Sequence, residues 1–312
     1  MIGKSLKNNV VLAAIAAVLA YSALLLAFAR GTDRGVWYCV KSVLGDTFLS
    51  PLFIFAVVFI LILERIFPAD KTQKIFSAGF IQDSVWLLLA LLFTATVVAA
   101  YSRGLRTLYE TYLEFLTVKG VGRFPEWARM TLGILVGDFL SWFQHWLKHQ
   151  VPWFWRIHVV HHSQRQINMF TDLRFHYMEY IISRPIVLIP LLILSIDTPK
   201  IVAFTVFSTW YTRLYHANIR SNFGWLRYIF VTPQSHRIHH SIDLRHRDQN
   251  FGVIFSFWDR IFRTHQPDCD SYPQTGVEDS SVPVEKEDGI LSFLILPLRQ
   301  LAYPFLPAKD KS

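Results

Sequence analysis

Long apolar stretches alternate with short polar ones through the first half of the chain. Residues 9–29, 47–63 and 84–102 contain no charged side chain, and residues 130–144 contain one carboxylate, Asp138. A bilayer's hydrocarbon core, about 30 Å thick, is crossed by about 20 helical residues. The pattern therefore predicts about four membrane-spanning helices.

The first apolar stretch also has features of a secretory signal peptide, because Lys4 and Lys7 precede it as a basic n-region would. Its apolar run is longer than the core of a typical signal peptide, and further apolar stretches follow it. We therefore interpret residues 9–29 as a retained membrane span.

Two shorter apolar stretches, residues 185–196 and 201–212, are separated by a polar turn at residues 197–200. Each is too short to cross a bilayer alone, so together they predict a re-entrant helical hairpin that enters and leaves by the same face. Four crossings and such a hairpin return the chain to the side of its N-terminus. Lys and Arg are in excess on that side, which marks it as cytoplasmic.

The C-terminal part has a different composition. Residues 266–288 are rich in Asp, Glu, Ser, Pro and Gly, which favours a linker over a packed element. Residues 290–298 are predicted to form an interfacial helix. The all-α chain thus divides into N-terminal membrane spans at 1–129, a catalytic domain at 130–265, and a linker with an interfacial tail at 266–312.

Composition agrees with a membrane protein, since 52% of the residues are hydrophobic and 15% are aromatic. The net charge of +8 could suggest nucleic acid, but the chain has no RRM or zinc-finger pattern. A basic face against anionic membrane lipid explains the charge, and no nucleic-acid partner is expected. The two cysteines, Cys39 and Cys269, are far apart and make no disulfide framework.

Three histidine clusters lie at the polar ends of the later apolar segments. They are His145 and His149; His158, His161 and His162; and His236, His239 and His240. On a helix, positions i, i+3 and i+4 share a face, so each cluster is expected to aim its imidazoles at one point. A zinc site closes at about four ligands, and eight imidazoles exceed that number. The pattern predicts a cytoplasmic helical cap that holds two metal ions close together.

The residues around these clusters form an ordered series of motifs. In chain order they are DF (138–139), HWLKH (145–149), HVVHHS (158–163), Asn168, RFH (174–176), Glu179, HAN (216–218), TPQSHRIHHS (232–241), NFG (250–252), WDR (258–260) and Phe262. Over about residues 130–265 this series resembles the fatty acid hydroxylase superfamily, or sterol desaturase family, of histidine-rich membrane di-iron oxygenases. It departs from the family pattern at Arg263, where glycine is usual, and at Tyr177, where related members often have proline.

The resemblance implies that the eight cluster histidines bind two iron ions, with no separate side-chain nucleophile. It also implies His216 as a ninth ligand, and makes His176 either a ligand or an outer-shell partner. Asn218 and Asn250 are expected to hydrogen-bond ligand imidazoles or to cap local turns. Asp138, about 10 Å along the helix from His145, is expected to orient a neighbouring group or to pair with an arginine.

The implied activity is O2-dependent hydroxylation or desaturation of a lipid, such as a sterol, a fatty acyl chain or an ether lipid. Cleaving an unactivated C–H bond needs an oxidant that a metal makes from O2. Imidazole also suits zinc, which stays an alternative metal. The chain has no haem-attachment, iron–sulfur or dinucleotide motif. An external electron donor is therefore implied: a b-type cytochrome, a ferredoxin with its reductase, or a pterin.

Two other classes of membrane protein also use histidines. A zinc-dependent hydrolase commonly pairs them with a glutamate, as in H-E-x-x-H, and no cluster here contains glutamate. A metal transporter places ionisable residues near the middle of the bilayer, whereas these clusters flank apolar segments, apart from Asp138. Metal analysis of the purified protein would distinguish the three classes.

Overall fold

A computed structural model describes residues 50–285 and 290–306, and helices dominate these residues. Within this part of the chain there is no β-strand, only three isolated antiparallel bridges. The prediction of an all-α chain is confirmed for the described residues. The predicted span at 9–29 and Cys39 lie outside them.

The N-terminal part consists of three helices: α1 (Pro51–Ile66), α2 (Ala78–Phe93) and α3 (Ala99–Leu108). α1 begins with proline, whose missing N–H would have no partner in the first turn of a helix. Ser77 caps α2 by accepting the backbone N–H of Phe80. A five-residue π-helix, Thr94–Val98, joins α2 to α3, and a second one, Tyr109–Leu113, follows α3.

The central part contains six helices. They are α4 (Glu126–Gln150), α5 (Pro152–His162), α6 (Tyr177–Ile193), α7 (Thr198–His216), α8 (Pro233–His239) and α9 (Phe257–Ile261). Only Val151 separates α4 from α5, because Pro152 cannot continue a helix but can begin one. This sharp break brings the second histidine cluster back onto the first.

The predicted hairpin corresponds to α6 and α7, which are both longer than the apolar stretches that predicted them. The turn contains Ser195 at φ 58°, and Asp197 caps α7 by accepting the N–H of Lys200. Leu191 and Ile196 pack with Tyr109 in one apolar cluster, which joins the hairpin to the N-terminal part. Its re-entrant course through a membrane stays a prediction.

None of the described helices is both long enough and apolar enough to cross a bilayer. α1 and α2 have 16 residues each, because Pro51 starts the first and the π-helix interrupts the second. α4 has 25 residues but includes charged side chains at both ends and Asp138 in its middle. The described helices therefore do not confirm the predicted spans at 47–63, 84–102 and 130–144.

The C-terminal part combines an irregular segment with one helix. Residues 266–285 contain no helix, and α10 follows at Ile290–Ala302. α10 packs against α2, where Trp86 Nε1 donates to Gln300 Oε1 at 3.0 Å and both side chains are fully buried. The predicted interfacial helix is therefore also anchored to the body of the protein.

Candidate metal centre

Nine histidines converge in two adjacent groups. The first group consists of His145, His149, His158, His162 and His239, and the second of His161, His216, His236 and His240. Within each group, one nitrogen atom from every ring lies within 4.8 Å of the others. Two clusters of this size fit two metal ions rather than one.

The helices divide the sequence clusters between the two groups. His145 and His149 of α4 both point into the first group. On α5, His158 and His162 belong to the first group and His161 belongs to the second. In the third cluster, His239 belongs to the first group, and His236 and His240 belong to the second. Positions i and i+4 thus share a group, and i+3 enters the other. The expectation that each cluster aims at one point holds only for the first.

In the first group the Nε2 atoms have no hydrogen-bond partner among the described residues. All five are buried: those of His145, His149, His158, His162 and His239. An unpaired buried polar atom costs about 1–3 kcal/mol, and five in one place are unexpected in a folded protein. A metal ion bound by these nitrogens would satisfy them together.

The Nε2 atoms of the second group face one another at short distances. His216 Nε2 lies 3.2 Å from His161 Nε2 and 2.8 Å from His236 Nε2, and the latter lies 3.1 Å from His240 Nε2. The Nδ1 atoms of His161 and His216 contact backbone carbonyls, which only accept hydrogen bonds. Their Nε2 atoms therefore both present lone pairs, and a cation between them would turn this repulsion into attraction.

Hydrogen bonds at Nδ1 fix the orientation of six rings. Four rings contact carbonyl oxygens: His145 that of Phe251 at 3.0 Å, His161 that of Thr171 at 3.1 Å, His216 that of Thr212 at 2.7 Å and His239 that of Gln249 at 2.7 Å. Two contact carboxylates: His149 that of Asp248 at 3.2 Å and His158 that of Glu179 at 3.0 Å. Metal-binding histidines typically have such partners, which select the tautomer with a free Nε2.

Burial also keeps these rings neutral. It lowers the pKa of all nine imidazoles, to about 3 for His161 and about 4 for His216. A neutral imidazole is the form that binds a metal. The donor set therefore fits two imidazole-bound transition-metal ions.

Of the weaker candidates, His216 lies in the second group and His176 lies in neither. His176 instead caps α6, where its Nδ1 accepts the N–H of Met178, and its Nε2 lies 2.9 Å from the carbonyl oxygen of Leu301. His246 and His265 also lie outside both groups. The structure thus assembles nine of the ten histidines that the sequence selected.

Asp138 and the two asparagines contact no imidazole. Asp138 accepts the N–H groups of Ile254 and Phe255 and the indole N–H of Trp258, which holds the loop that begins at Phe251. Asn218 accepts the backbone N–H of Asp70 and donates its side-chain N–H to the carbonyl oxygen of Asp70. Asn250 donates to the Ser235 carbonyl and accepts the N–H of Gln266. These three residues support the segments that carry the histidines, rather than the rings.

Comparison with known proteins bears on the same segment, because residues 130–264 match the model of the family described as "Fatty acid hydroxylase". Residues 130–264 are a fatty acid hydroxylase domain. The resemblance noted from the sequence motifs is therefore confirmed. All nine histidines of the two groups, and the backbone carbonyls that contact their Nδ1 atoms, lie within the matched residues.

Similar proteins include two kinds of lipid-modifying enzyme. Ornithine lipid hydroxylase OlsE of Rhizobium tropici is 24% identical over 275 residues, which are 87% of this chain and 80% of that protein. Alkylglycerol monooxygenase is 32% identical in Danio rerio over 46% of this chain, and 32% identical in Homo sapiens over 45%. The matches span only 31% and 30% of those two monooxygenases. No solved structure matches the chain significantly.

The structure explains both departures from the family pattern. Arg263 follows Phe262, the C-cap of α9, and has φ 60°, the left-handed conformation that glycine adopts most easily just beyond a helix. Tyr177 is the first residue of α6, a position that suits proline. Its ring is stacked on Phe93 of α2, with centroids 4.4 Å apart. The tyrosine thus joins the domain to the N-terminal helices.

A buried ion pair that the sequence does not reveal lies beside the first group. Lys148 Nζ donates to one oxygen of Glu179 at 2.6 Å, and the other oxygen lies 3.0 Å from His158 Nδ1. Lys148 lies within the first cluster and Glu179 within the motif series, but their sequence separation hides the contact. The carboxylate orients His158 while the ammonium group balances its charge.

Glu179→Gln is therefore expected to weaken metal binding at the first group by about 10- to 100-fold, with a matching loss of activity. Glutamine keeps the size of the side chain but has one acceptor oxygen, whereas Glu179 accepts from both Lys148 and His158. The measurement is metal retained per chain during titration with a chelator. Glu278→Gln serves as the control, since residue 278 is exposed and lies outside both groups. Equal chelator curves for wild type and Glu179→Gln would contradict the role.

Proposed function

We propose that this protein is a membrane-bound di-iron oxygenase that hydroxylates a lipid, using O2 and electrons from a separate donor. The observation that carries the proposal is the pair of adjacent all-imidazole groups within a fatty acid hydroxylase domain. Two groups of five and four neutral imidazoles suit iron, although imidazole also binds zinc and copper. Iron is proposed because two of these centres side by side suit O2 chemistry.

Iron at these sites would supply the activation of O2 that C–H cleavage requires. The chain's own residues hold, orient and enclose the ions. The Nε2 atoms face inward, and the carbonyl and carboxylate partners at Nδ1 keep them there. Eight of these histidines are buried and the side chain of His149 is only 3% exposed, so the rings also exclude bulk water and limit side reactions.

Exposed apolar side chains support contact with a membrane. On α1, Leu52 and Phe55 are 68% and 67% exposed, and on α7, Val206 and Phe207 are 53% and 58% exposed. Large apolar side chains exposed together on two helices favour a lipid or protein partner. We propose that these helices face lipid and that, following the excess of Lys and Arg, the histidines lie on the cytoplasmic side.

Hydroxylation is proposed over desaturation because the similar proteins are named as a lipid hydroxylase and as monooxygenases. The hydroxylase that matches across most of both chains acts, by its name, on ornithine lipid. An amphiphilic lipid with a polar headgroup is therefore the proposed substrate class. The electron donor is proposed to be a separate protein or cofactor, as the sequence motifs imply.

The test follows the origin of the new hydroxyl oxygen. Purified protein loaded with ferrous iron, given a membrane lipid extract, a reductant and labelled O2, is expected to form hydroxylated lipid that carries one labelled oxygen atom. Omitting O2 or the metal should stop product formation. Product formed without air, with oxygen taken from labelled water, would instead identify a hydrolase. A product that has lost two hydrogens and carries no label would identify a desaturase.

A further inference from the structure

A cavity of about 300 Å³ is lined by residues of α8 and α9 and of the loops beside them. Its lining includes Ser235 and Asn250, which directly precede His236 and Phe251 in the chain. Two arginines, Arg227 and Arg260, also line it. None of the histidines of the two groups lines this cavity, so it is a separate site.

The arginines of this cavity have no carboxylate partner among the described residues. Arg260 Nη1 is buried without a hydrogen bond, and its Nη2 only reaches the backbone oxygen of Arg227 at 3.4 Å. Both guanidinium groups lie over the ring of Tyr228, each with its central carbon 5.0 Å from the ring centroid. Two cations therefore stand side by side around one aromatic ring.

The carboxylates in the cavity wall are already engaged by other groups. Asp259 accepts hydrogen bonds from Trp142 Nε1, from the Thr264 hydroxyl and from two backbone N–H groups. Asp268 accepts from the backbone and the hydroxyl of Ser271. These oxygens cannot turn towards the arginines without losing those bonds, so the guanidinium groups stay available to an anion from outside the chain.

The cavity and the residues beside it in the chain have the side chains of a membrane interface. Tyr228 lines the cavity and is 54% exposed. Trp225, two residues before Arg227, is 70% exposed, and Ile261, directly after Arg260, is 60% exposed. Trp, Tyr and basic residues concentrate at the level of lipid headgroups. Phe262, two residues after Arg260, is 46% exposed and stacks on Trp142 of α4 with ring centroids 4.5 Å apart. An acyl chain could thus extend along the apolar helix while its headgroup enters the cavity.

We propose that this cavity binds the anionic headgroup of a lipid, a phosphate or a carboxylate, through Arg260 and Arg227. Guanidinium groups bind both oxyanions with paired hydrogen bonds, which accounts for the unpaired Nη1 atom. The identity of the bound lipid as the substrate rests on the proposed function. Binding of an anionic lipid at the cavity does not depend on that function. The cavity then selects acidic lipids and brings them beside the third histidine cluster.

The test compares lipid binding by three variants in mild detergent, with phosphatidylglycerol, neutral diacylglycerol and inorganic phosphate as probes. Native mass spectrometry is expected to show phosphatidylglycerol bound to wild type and diacylglycerol unbound. Arg260→Gln and Arg227→Gln should each weaken that binding at least about tenfold, as expected for loss of a charged hydrogen-bonding partner. Arg245→Gln removes the same charge from a side chain that is 83% exposed elsewhere, and should bind like wild type.

Metal content, measured on the same samples, should be equal in all variants, which separates the cavity from the metal centre. Equal binding of phosphatidylglycerol and diacylglycerol, or unchanged binding by both cavity variants, would overturn the proposal. Inorganic phosphate that binds at the cavity without any lipid binding would overturn the lipid assignment. Lipid binding that persists in a protein without hydroxylase activity would refute the proposed function and leave this site standing.

Discussion

Alanine at His149, His161 or His239 is expected to abolish lipid hydroxylation, with product at least about 100-fold below wild type. Removing a residue that only orients a ligand typically lowers activity by about 10- to 100-fold, and removing the ligand itself should lower it further. His149 and His239 belong to the first group and His161 to the second. Each substitution removes one Nε2 atom from a buried set of imidazole nitrogens. The measurement is product formed per chain, together with metal content of the purified variant.

The metal content should also separate the two groups. His161→Ala leaves three imidazoles in the second group, whereas His239→Ala leaves four in the first. A metal site commonly needs about four ligands. The second group of His161→Ala is therefore expected to lose its ion more completely than the first group of His239→Ala, and His161→Ala is expected to retain about one ion per chain. His246→Ala is the control, because His246 lies outside both groups and contacts the Ser241 hydroxyl. Full loading and turnover in His161→Ala would contradict the second site.

The histidine clusters could be found from the sequence because their spacing repeats along single helices. Their division into two groups could not, since positions i+3 and i+4 both lie on the helix face that carries residue i. Only the packing of α5 and α8 around the two sites decides which of His161 and His162 enters which group. His216 stands alone in the sequence, so only the family resemblance selected it.

The partners of the rings were harder to predict than the rings. Four Nδ1 atoms contact backbone carbonyls, and because every residue has a carbonyl, no residue type marks these positions. Asn218 and Asn250 were selected because amides often orient ligands, yet they brace loops. His176 was selected by the family resemblance, and in the structure its side chain caps α6.

The apolar stretches predicted helices correctly but not their limits. Hydropathy records the composition of a segment, whereas a proline such as Pro51 or a π-helix such as Thr94–Val98 decides where a regular helix ends. Asp83 also escaped notice, since a single carboxylate at the start of an apolar stretch has no pattern. It lies on α2, outside the matched domain, and is fully buried.

Asp83→Asn is expected to destabilise the protein by about 3–5 kcal/mol, the typical effect of breaking a buried ion pair. One oxygen of Asp83 accepts from Arg174 Nε at 2.8 Å, and the other accepts from Gln164, Asn168 and Thr171 at 2.7–2.8 Å. Every one of these groups is a donor, so the amide of asparagine would place a donor against donors. Arg174, also fully buried, would keep only Glu285 as a charged partner.

Thermal unfolding of the purified protein should show this as a midpoint lower by about 5 °C or more. Asp243→Asn, which removes an exposed carboxylate paired with Arg245, provides the control and should leave the midpoint unchanged. An unchanged midpoint in Asp83→Asn would contradict the role of the buried pair.

The segment that Asp83 holds carries the carbonyls of Thr171 and Arg174, which both face His161 Nδ1. Asp83→Asn should therefore lower metal loading at the second group more than at the first, which a general loss of stability would not do.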